Sequence, residues 1–486
     1  MQLYIITKIK RSLSFNSIFT GVLWTSIQFV IDIIFRFAVR FILAKLLLPS
    51  QFGLVGMCTV FIAVAGAASE LGMSAALIQK KNDHEAEEMY PTAFWSGLIW
   101  GVIIYSVLSL LITPLAASFY DEPKLKVLIP VLSLGMLLKP FNLIQTVILT
   151  RSMDFKSLAK ILNTSSIIAG VVSLISAYFF NFGVWALVLN NVLAVMISVP
   201  LLFYITKWKP ILIWNRQHFK SIFGFGAYSS GTLIFSTLTY NVDNLLIGKM
   251  LGSSMLGSYT LSFSLTEQIR QAISGVLNKV LYPVFGKNQE NKIKLKNYFL
   301  KIVNLNSIAI YPLMSFIFLF ATEIIDFFGE RWSDAIIPLK IMCIAMMVHL
   351  LINSFTSLIR GLGKPALEMK IIMGLTIFVL IPSLYFGILN FGLIGAALAI
   401  LLNKLALVIV GVYVLKNEIN LSIKELIYSI KGAVASIMLA TTVFLLFKNF
   451  VYDNVVFLMI LFVVTYLITV FILEKKNINL LLSKLK

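Results

Sequence analysis

The sequence predicts an all-α polytopic membrane protein with about fourteen transmembrane helices, arranged as two parallel six-helix lobes plus two C-terminal helices. Three observations lead to this prediction: the composition, a series of long apolar stretches and an internal repeat. Of the 486 residues, 59% are hydrophobic and 13% are charged, whereas a soluble chain carries roughly 25% charged residues. The composition therefore favours a chain that folds inside a membrane.

Apolar stretches of helix length recur along the whole chain. Each is long enough to cross about 30 Å of hydrocarbon at a rise of about 1.5 Å per residue. The first is too long for a signal-peptide core, and we expect it to be an uncleaved transmembrane helix. The fourteen stretches are 18–48, 51–72, 92–118, 126–150, 161–180, 183–206, 225–250, 256–284, 298–322, 334–359, 367–388, 391–415, 427–447 and 454–473.

Positive charge is unevenly distributed between the two sides of these stretches. With the N-terminus in the cytoplasm, 27 lysines and arginines fall in inner segments or near the inner ends of the stretches, 6 in outer segments or near the outer ends, and 7 deeper within the stretches. Because cytoplasmic loops carry the excess of Lys and Arg, we predict that both termini are cytoplasmic. The net charge of +19 then reflects topology, and no basic soluble domain typical of nucleic-acid binding remains.

The two halves of the chain carry related sequences. Residues 43–54 resemble residues 247–258, and Asn181-Phe182-Gly183 resembles Asn390-Phe391-Gly392. The offset between the copies drifts only from 204 to 209 residues, which indicates a duplication. Six stretches separate the copies, and this even number gives both halves the same orientation, with a substrate site expected between them near mid-membrane.

The repeat divides the chain into three predicted domains. Residues 1–210 form an N-terminal six-helix lobe, 211–418 form a C-terminal six-helix lobe, and 419–486 add two transmembrane helices and a cytoplasmic tail. Short amphipathic stretches at 214–223 and 478–486 are expected to lie on the inner leaflet.

A polar stripe runs along the first apolar stretch. Gln28, Asp32, Arg36 and Arg40 are each four residues apart, so a helix keeps them on one slowly rotating face. An ionisable group near the bilayer centre costs at least about 2.5–3.5 kcal/mol, and it normally faces a partner, a wet cavity or a substrate. Since the planar fork of arginine suits phosphate oxygens, we expect Gln28, Arg36 and Arg40 to bind an anionic substrate head group.

A second polar belt lies in the eighth stretch, where Glu267, Gln268, Arg270 and Gln271 fall near mid-depth. Arg270 is a further head-group candidate. The corresponding residues of the second stretch include Ala63 and Gly66, which carry no charge. The two lobes are therefore expected to differ chemically.

The intramembrane carboxylates have two interpretations. Asp32 with Arg36, and Glu267 with Arg270, have the spacing of ion pairs that neutralise each other and fix helix packing. Alternatively, Asp32, Asp243 or Glu267 takes up a proton or a sodium ion as the coupling step of transport. The sequence leaves both interpretations open.

The intramembrane cations outside these two pairs have different interpretations. Arg40 has no obvious local partner, which makes it the sharper head-group candidate. Lys279 has a simple structural role, since its side chain is able to snorkel to the cytoplasmic face. Lys139, Lys340 and Lys404 either do the same or line the predicted cavity.

The sequence gives no sign of a cofactor, a metal site or a nucleotide-hydrolysing loop. Cys58 and Cys343 fall in apolar stretches, and the three histidines are scattered without metal-ligand spacing. The segment 360–365 resembles a phosphate-binding loop only superficially, because Pro365 stands where Ser or Thr is required. We therefore expect no cofactor and no ATP hydrolysis in this chain.

Several phrases occur in order at the expected helix ends of both halves: 46–57 (LLLPSQFGLVGM), 70–81 (ELGMSAALIQKK), 92–95 (TAFW), 243–249 (DNLLIGK) with 256–259 (LGSY), and 281–285 (LYPVF). Together they resemble the polysaccharide-biosynthesis flippases of the multidrug/oligosaccharidyl-lipid/polysaccharide exporter superfamily. These phrases are specific for the family, although not for a substrate.

The resemblance implies two six-helix bundles around a central cavity lined by spans 1, 2, 7 and 8. It also implies alternating access that carries an undecaprenyl-pyrophosphate-linked oligosaccharide, a repeat unit of exopolysaccharide, capsule or O-antigen, from the inner to the outer leaflet. The location that the resemblance implies is a bacterial cytoplasmic (inner) membrane. Cationic cavity residues are typical of the group, which supports Arg36, Arg40 and Arg270 as head-group contacts. The expected partners are this substrate, membrane lipids, and the polysaccharide polymerase and export machinery.

Three other functions compete with this prediction. A drug/cation antiporter of the same superfamily favours acidic cavity residues unopposed by arginine, and a peptidoglycan-precursor flippase shares the lipid-pyrophosphate chemistry. A membrane glycosyltransferase needs a sizeable outer loop or acidic residues in the first outer loop, but residues 48–51 are Leu-Pro-Ser-Gln. The sequence therefore predicts a transporter rather than an enzyme.

Overall fold

The computed structural model of this chain describes residues 15–70, 72–80, 82–448 and 454–485. Within these ranges the regular elements are helical, and the predicted all-α class is confirmed. Long apolar runs fold in this way because lipid offers backbone N–H and C=O groups no partners, so each segment must satisfy its own.

The chain forms two compact units, Met1–Thr260 and Leu261–Lys486. The boundary falls inside a long helical segment, whereas the predicted domains follow the repeat, and that division stays a prediction. The helices of the first unit are α1 Phe15–Leu46, α2 Pro49–Glu70, α3 Met73–Gln79, α4 Asp83–Ser106, α5 Thr113–Tyr120, α6 Leu125–Arg151, α7 Phe155–Phe179, α8 Val184–Thr206 and the beginning of α9, Arg216–Lys287. A π-helical turn, Val107–Ile112, joins α4 to α5.

The second unit contains the end of α9 and the remaining helices. The helices are α10 Lys292–Leu319, α11 Ala321–Asp326, α12 Ile336–Leu350, α13 Phe355–Gly361, α14 Pro365–Leu375, α15 Ile381–Ile419, α16 Ile423–Lys448 and α17 Val455–Leu485. A 3₁₀ turn, Glu330–Ala335, precedes α12, and a π-helical turn, Thr376–Leu380, joins α14 to α15.

Ten helical segments in the described ranges are long and apolar enough to cross a membrane. The longest, Pro365–Ile419, is interrupted at Gly392, at the start of the predicted span 391–415. A similar interruption at Gly252 divides α9 between the predicted spans 225–250 and 256–284. The protein is a multi-pass membrane protein, and the total of fourteen spans stays a prediction.

The amphipathic stretches at 214–223 and 478–486 do not form separate elements in the described residues. Helix α9 begins at Arg216 and continues beyond residue 223, and α17 runs on to Leu485. Each stretch is therefore largely one end of a longer helix.

The repeated triplets have the same backbone conformation. Gly183 has φ 55° and ψ −126°, and Gly392 has φ 55° and ψ −132°. Positive φ strains any residue with a Cβ, so glycine is required where each copy breaks direction. This agreement supports the duplication inferred from the sequence.

Two related glycines bring the copies of the repeat into backbone contact within the first unit. A Cβ on Gly53 would lie 1.7 Å from the carbonyl oxygen of Ser253, and a Cβ on Gly257 would lie 1.8 Å from that of Pro49. Gly53 matches Gly257 and Pro49 matches Ser253 at one offset, so the contact is reciprocal. Only glycine permits this approach.

Helix α1 packs against α7 at another glycine. A Cβ on Gly170 would lie 2.6 Å from a ring carbon of Phe35 and 2.8 Å from a methyl group of Val39. Val39 and Leu43 are buried on this side of α1. The α1–α7 contact therefore fixes which residues of α1 remain uncovered by the first unit.

Two buried clusters hold the second unit together. One includes Phe299 of α10, Phe355 of α13 and Leu415 of α15. The other includes Phe444 of α16 and Phe462 of α17, so the two C-terminal helices pack onto the unit through their own aromatic cluster.

Candidate functional site

The polar stripe of α1 lies beside the packed side of that helix. Arg36 Nε donates a hydrogen bond to Asp32 Oδ1 at 2.8 Å. The Arg36 side chain is nevertheless 63% exposed, and the Asp32 side chain is 22% exposed. Since this bond uses only Nε, the two amino groups of the guanidinium remain as further donors, and such donors suit an oxyanion.

Arg40 continues the stripe one turn further along α1 and is exposed on the first unit. Among the residues that the structure describes, Arg40 forms no ion pair. Gln28, one turn beyond Asp32 in the other direction, is half-buried. The stripe therefore presents two arginines about 6 Å apart along the helix axis, given a rise of about 1.5 Å per residue.

Arg270 has a different environment in the second unit. Its Nε and Nη2 donate to the two carboxylate oxygens of Glu267 at 2.8 and 2.5 Å, and its Nη1 donates to Asn353 Oδ1. Gln271 Nε2 donates to the same carboxylate at 2.9 Å. The Arg270 and Glu267 side chains are each 15% exposed. All three nitrogens of this guanidinium therefore donate hydrogen bonds within the second unit.

Lys404, His349 and Asn353 extend the polar surroundings of the Glu267–Arg270 pair. Lys404 of α15 acts electrostatically on Glu267, and both Lys404 and Arg270 act on His349 of α12. Within the described residues, Asn353 Nδ2 and His349 Nδ1 are buried and have no hydrogen-bond partner. Asn353 and Lys404 belong to this cluster. Sequence reasoning did not join them to Glu267, because they lie 86 and 137 residues away along the chain (353 − 267 and 404 − 267).

Asp243 is a buried carboxylate of the first unit, with 8% of the residue exposed. The Tyr259 hydroxyl donates to its Oδ2, and the Asn244 amide donates to its Oδ1 at 2.9 Å. The three carboxylates predicted to couple ions therefore differ: Asp32 and Glu267 face arginines, whereas Asp243 faces a phenol.

Lys139 of α6 is a cation whose position the sequence left open. Its Nζ lies 3.4 Å from the place that a Cβ on Gly66 of α2 would occupy. The offset of 204 residues that relates Lys45 to Lys249 also relates Gly66 to Arg270. The first repeat thus holds an ammonium group where the second carries its arginine. The repeat alone predicted an uncharged position there, because Gly66 carries no side chain, and Lys139 comes from another helix.

The structure says less about the two other intramembrane lysines, Lys340 and Lys279. Lys340 is half-buried near the start of α12. Lys279 lies in 272–284, outside the residues whose side chains are described. Among the described residues, no three His, Cys, Asp or Glu side chains come together as metal ligands.

Comparison with known proteins bears on the family of this chain. A sequence profile described as "Polysaccharide biosynthesis protein" matches residues 42–337. The "Lipopolysaccharide biosynthesis protein WzxC" of Escherichia coli K12 is 25% identical over 420 residues, which are 85% of this chain and 83% of that protein. The "Teichuronic acid biosynthesis protein TuaB" of Bacillus subtilis 168 is 26% identical over 379 residues, which are 76% of this chain and 77% of that protein.

Solved structures share the fold at low sequence identity. The "Lipid II flippase MurJ, inward closed conformation" has a TM-score of 0.72 at 14% identity and covers 95% of this chain and 100% of its own. A multidrug resistance MATE family transporter of the MOP superfamily in an inward-facing conformation has a TM-score of 0.64 at 18% identity, covering 81% and 94%. This chain therefore shares the fold of these two structures.

The profile match covers more than half of the chain and includes all of the phrases that carried the resemblance in the sequence. The relatives extend the match over most of the chain length. The chain belongs to the polysaccharide biosynthesis protein family, as its sequence predicts.

Proposed function

We propose that this protein is a flippase that moves an undecaprenyl-pyrophosphate-linked oligosaccharide across a bacterial cytoplasmic membrane by alternating access. The observation that carries the proposal is the pair of exposed arginines, Arg36 and Arg40, on an otherwise apolar helix. The relatives named for lipopolysaccharide and teichuronic acid biosynthesis support a polysaccharide repeat unit as the cargo. The protein then acts as a transporter, not an enzyme.

Arg36 and Arg40 fit the two phosphates of a pyrophosphate. They lie about one helical turn apart, and each phosphate carries oxygens that match a guanidinium fork. With both termini in the cytoplasm, Arg40 lies on the outer side of Arg36. The head group then passes from one arginine to the next as it crosses the membrane, with Gln28 as a neutral hydrogen-bonding contact.

Arg270 and Lys139 have supporting roles in this proposal. Arg270 already donates to Glu267 and Asn353, so most of its donors are engaged and it is a secondary contact for the head group. The Lys139 ammonium beside Gly66 places a cation in the first unit at the repeat position of Arg270.

Transport is proposed to draw on an ion gradient through Asp32, Asp243 or Glu267. Of these three carboxylates, only Asp243 is buried, and a bare charge inside a bilayer is costly, which favours Asp243 for taking up a proton or a sodium ion. Transport by reconstituted protein that is indifferent to both proton and sodium gradients would contradict this part of the proposal.

Reconstitution in vesicles tests the central assignment. We expect Arg40→Ala to lower translocation of a lipid-pyrophosphate-linked oligosaccharide at least tenfold, since about 1.4 kcal/mol corresponds to tenfold and a charge-assisted hydrogen bond contributes about as much. Arg216→Ala removes an exposed arginine at the start of α9 and serves as the matched control, with unchanged translocation expected. Full translocation by both Arg36→Ala and Arg40→Ala would overturn the head-group assignment.

The same vesicles separate the competing cargoes. We expect transport of the lipid-linked oligosaccharide without efflux of cationic drugs. Preferential movement of peptidoglycan precursor would instead identify a precursor flippase, whose fold this chain shares. Association with a polysaccharide polymerase and export machinery is part of the proposal and is testable by co-purification from a membrane that makes the polymer.

A further inference from the structure

A cavity of about 870 Å³ opens in the second unit, among α10, α16 and α17. Three lysines line it, Lys301, Lys424 and Lys431, together with Tyr428 and the buried Glu474. The cavity is large enough for a small ligand, since binding sites are typically about 300–1,000 Å³. Neither the polar stripe nor the Glu267–Arg270 pair contributes to it.

The ends of the apolar spans fix the depth of this cavity. Lys424 is the second residue of α16, and the apolar part of α17 ends at Glu474. α16 and α17 follow one another and pack together, so the start of one lies beside the end of the other. The cavity therefore lies where the hydrocarbon of a bilayer gives way to lipid phosphates.

The charges around the cavity are only partly neutralised. Glu425 is engaged by Lys296 Nζ at 2.7 Å and by the Ser422 amide at 2.9 Å. In the part of the chain that the structure describes, Lys301, Lys424 and Lys431 form no ion pair and are exposed. Positive charge therefore collects at the rim.

The floor of the cavity has the opposite character. Glu474 is 7% exposed, and its Oε1 lies only 1.8 Å from the place a Cβ on Gly432 would occupy. Asn304 Nδ2 donates to the Ser429 carbonyl at 2.7 Å and lies 3.5 Å from the same carboxylate. A buried carboxylate repels an anion from the floor, so the lysine rim is the place for one.

Exposed apolar side chains lie next to the lining residues in sequence or are among them. Ile427 is 57% exposed, Ile472 66% and Leu473 49%. Lys431 Nζ lies 3.6 Å from the ring centroid of Tyr428, and this stacked pair stands at the edge of the cavity. Cations beside exposed apolar side chains match a ligand with a charged head and hydrocarbon tails.

We propose that this cavity is a binding site for the phosphate of a membrane phospholipid. Lys301, Lys424 and Lys431 surround the phosphate, the Tyr428 hydroxyl donates to it, and an acyl chain lies along Ile427 and Leu473. Basic pockets between transmembrane helices bind phosphate head groups in this way. The bound lipid fastens α16 and α17 to α10, independently of any transported cargo.

Lipid binding by the purified full-length protein tests the proposal. Delipidated protein in neutral detergent is titrated with phosphatidylglycerol, phosphatidylethanolamine, undecaprenyl phosphate, diacylglycerol or inorganic phosphate, and bound lipid is counted by native mass spectrometry. We expect one phospholipid to bind each chain and to raise the midpoint temperature of thermal unfolding. Diacylglycerol and inorganic phosphate should do neither, because diacylglycerol lacks the phosphate and inorganic phosphate lacks the acyl chains.

Substitutions at the rim give the matched comparison. The triple variant K301Q/K424Q/K431Q should bind phospholipid roughly a hundredfold more weakly, at about fivefold for each lysine near the membrane surface. The arginine triple K301R/K424R/K431R should retain binding, which separates lost charge from misfolding. The control K160Q/K209Q/K220Q removes three exposed lysines of the first unit and should leave binding unchanged.

Three outcomes would overturn the proposal: equal binding by wild type and the glutamine triple, equal binding of diacylglycerol, or binding of undecaprenyl phosphate alone. The last would identify the carrier lipid, not a phospholipid, as the source of the phosphate.

Discussion

Two arginines in this protein have the same kind of acidic neighbour and different surroundings. Arg36 shares one hydrogen bond with Asp32 and keeps 63% of its side chain exposed. Arg270 makes a two-point contact with Glu267, binds Asn353 and is 15% exposed. An ion pair on the helix surface leaves its arginine able to meet a ligand, whereas one packed among neighbouring helices uses the arginine to build the unit.

Breaking the buried pair should have the largest effect on stability. Glu267→Ala leaves the Arg270 charge without its carboxylate, which should lower the free energy of unfolding by about 3 kcal/mol. Chemical denaturation in detergent followed by helical circular dichroism measures the loss. Glu290→Ala, at an exposed residue just before α10, is the control and should change stability little. Unchanged stability of Glu267→Ala would show that the pair is not structural.

The packed side of α1 should be the next most sensitive feature. Gly170→Ala places a methyl group against Phe35 and Val39, and we expect it to cost about 2 kcal/mol through overpacking. Gly374→Ala is the control, since no atom lies within 4 Å of its Cβ position and alanine favours the helix. Stability equal to wild type in Gly170→Ala would mean that α7 does not fix the stripe on α1.

A smaller effect tests the cation beside Gly66. Gly66→Leu should displace the Lys139 ammonium and lower translocation about tenfold, which is about 1.4 kcal/mol. Gly66→Ala should be tolerated, because its Cβ meets Lys139 Nζ at an ordinary contact distance of 3.4 Å. Lys139→Met should match the leucine variant. If it transports normally, Lys139 is a packing residue only.

The exposed pair should matter least for stability. Asp32→Asn weakens a single hydrogen bond on an exposed arginine, so the free energy of unfolding should fall by less than about 1 kcal/mol. The same denaturation assay measures it beside Glu267→Ala. A loss as large as that of Glu267→Ala would erase the distinction between the two pairs and give both a structural role.

The sequence was sufficient for features that depend on neighbours along the chain. Apolar length predicted the helical membrane fold, because lipid leaves a spanning backbone few other choices. The i,i+4 spacing of Asp32 and Arg36 and the i,i+3 spacing of Glu267 and Arg270 gave ion pairs as one of two interpretations, and both contacts form. The related Asn-Phe-Gly triplets predicted a duplication, and the two copies share a positive φ at Gly183 and Gly392.

Tertiary structure decided which polar groups are occupied and which remain available. Only packing between distant segments brings Asn353 to Arg270 and places Lys139 over Gly66. The spacing of Asp32–Arg36 and Glu267–Arg270 is nearly the same, yet one pair is exposed and the other enclosed. Helical periodicity sets which side of a helix a residue occupies, but burial depends on what packs against that side, and residues far along the chain supply it.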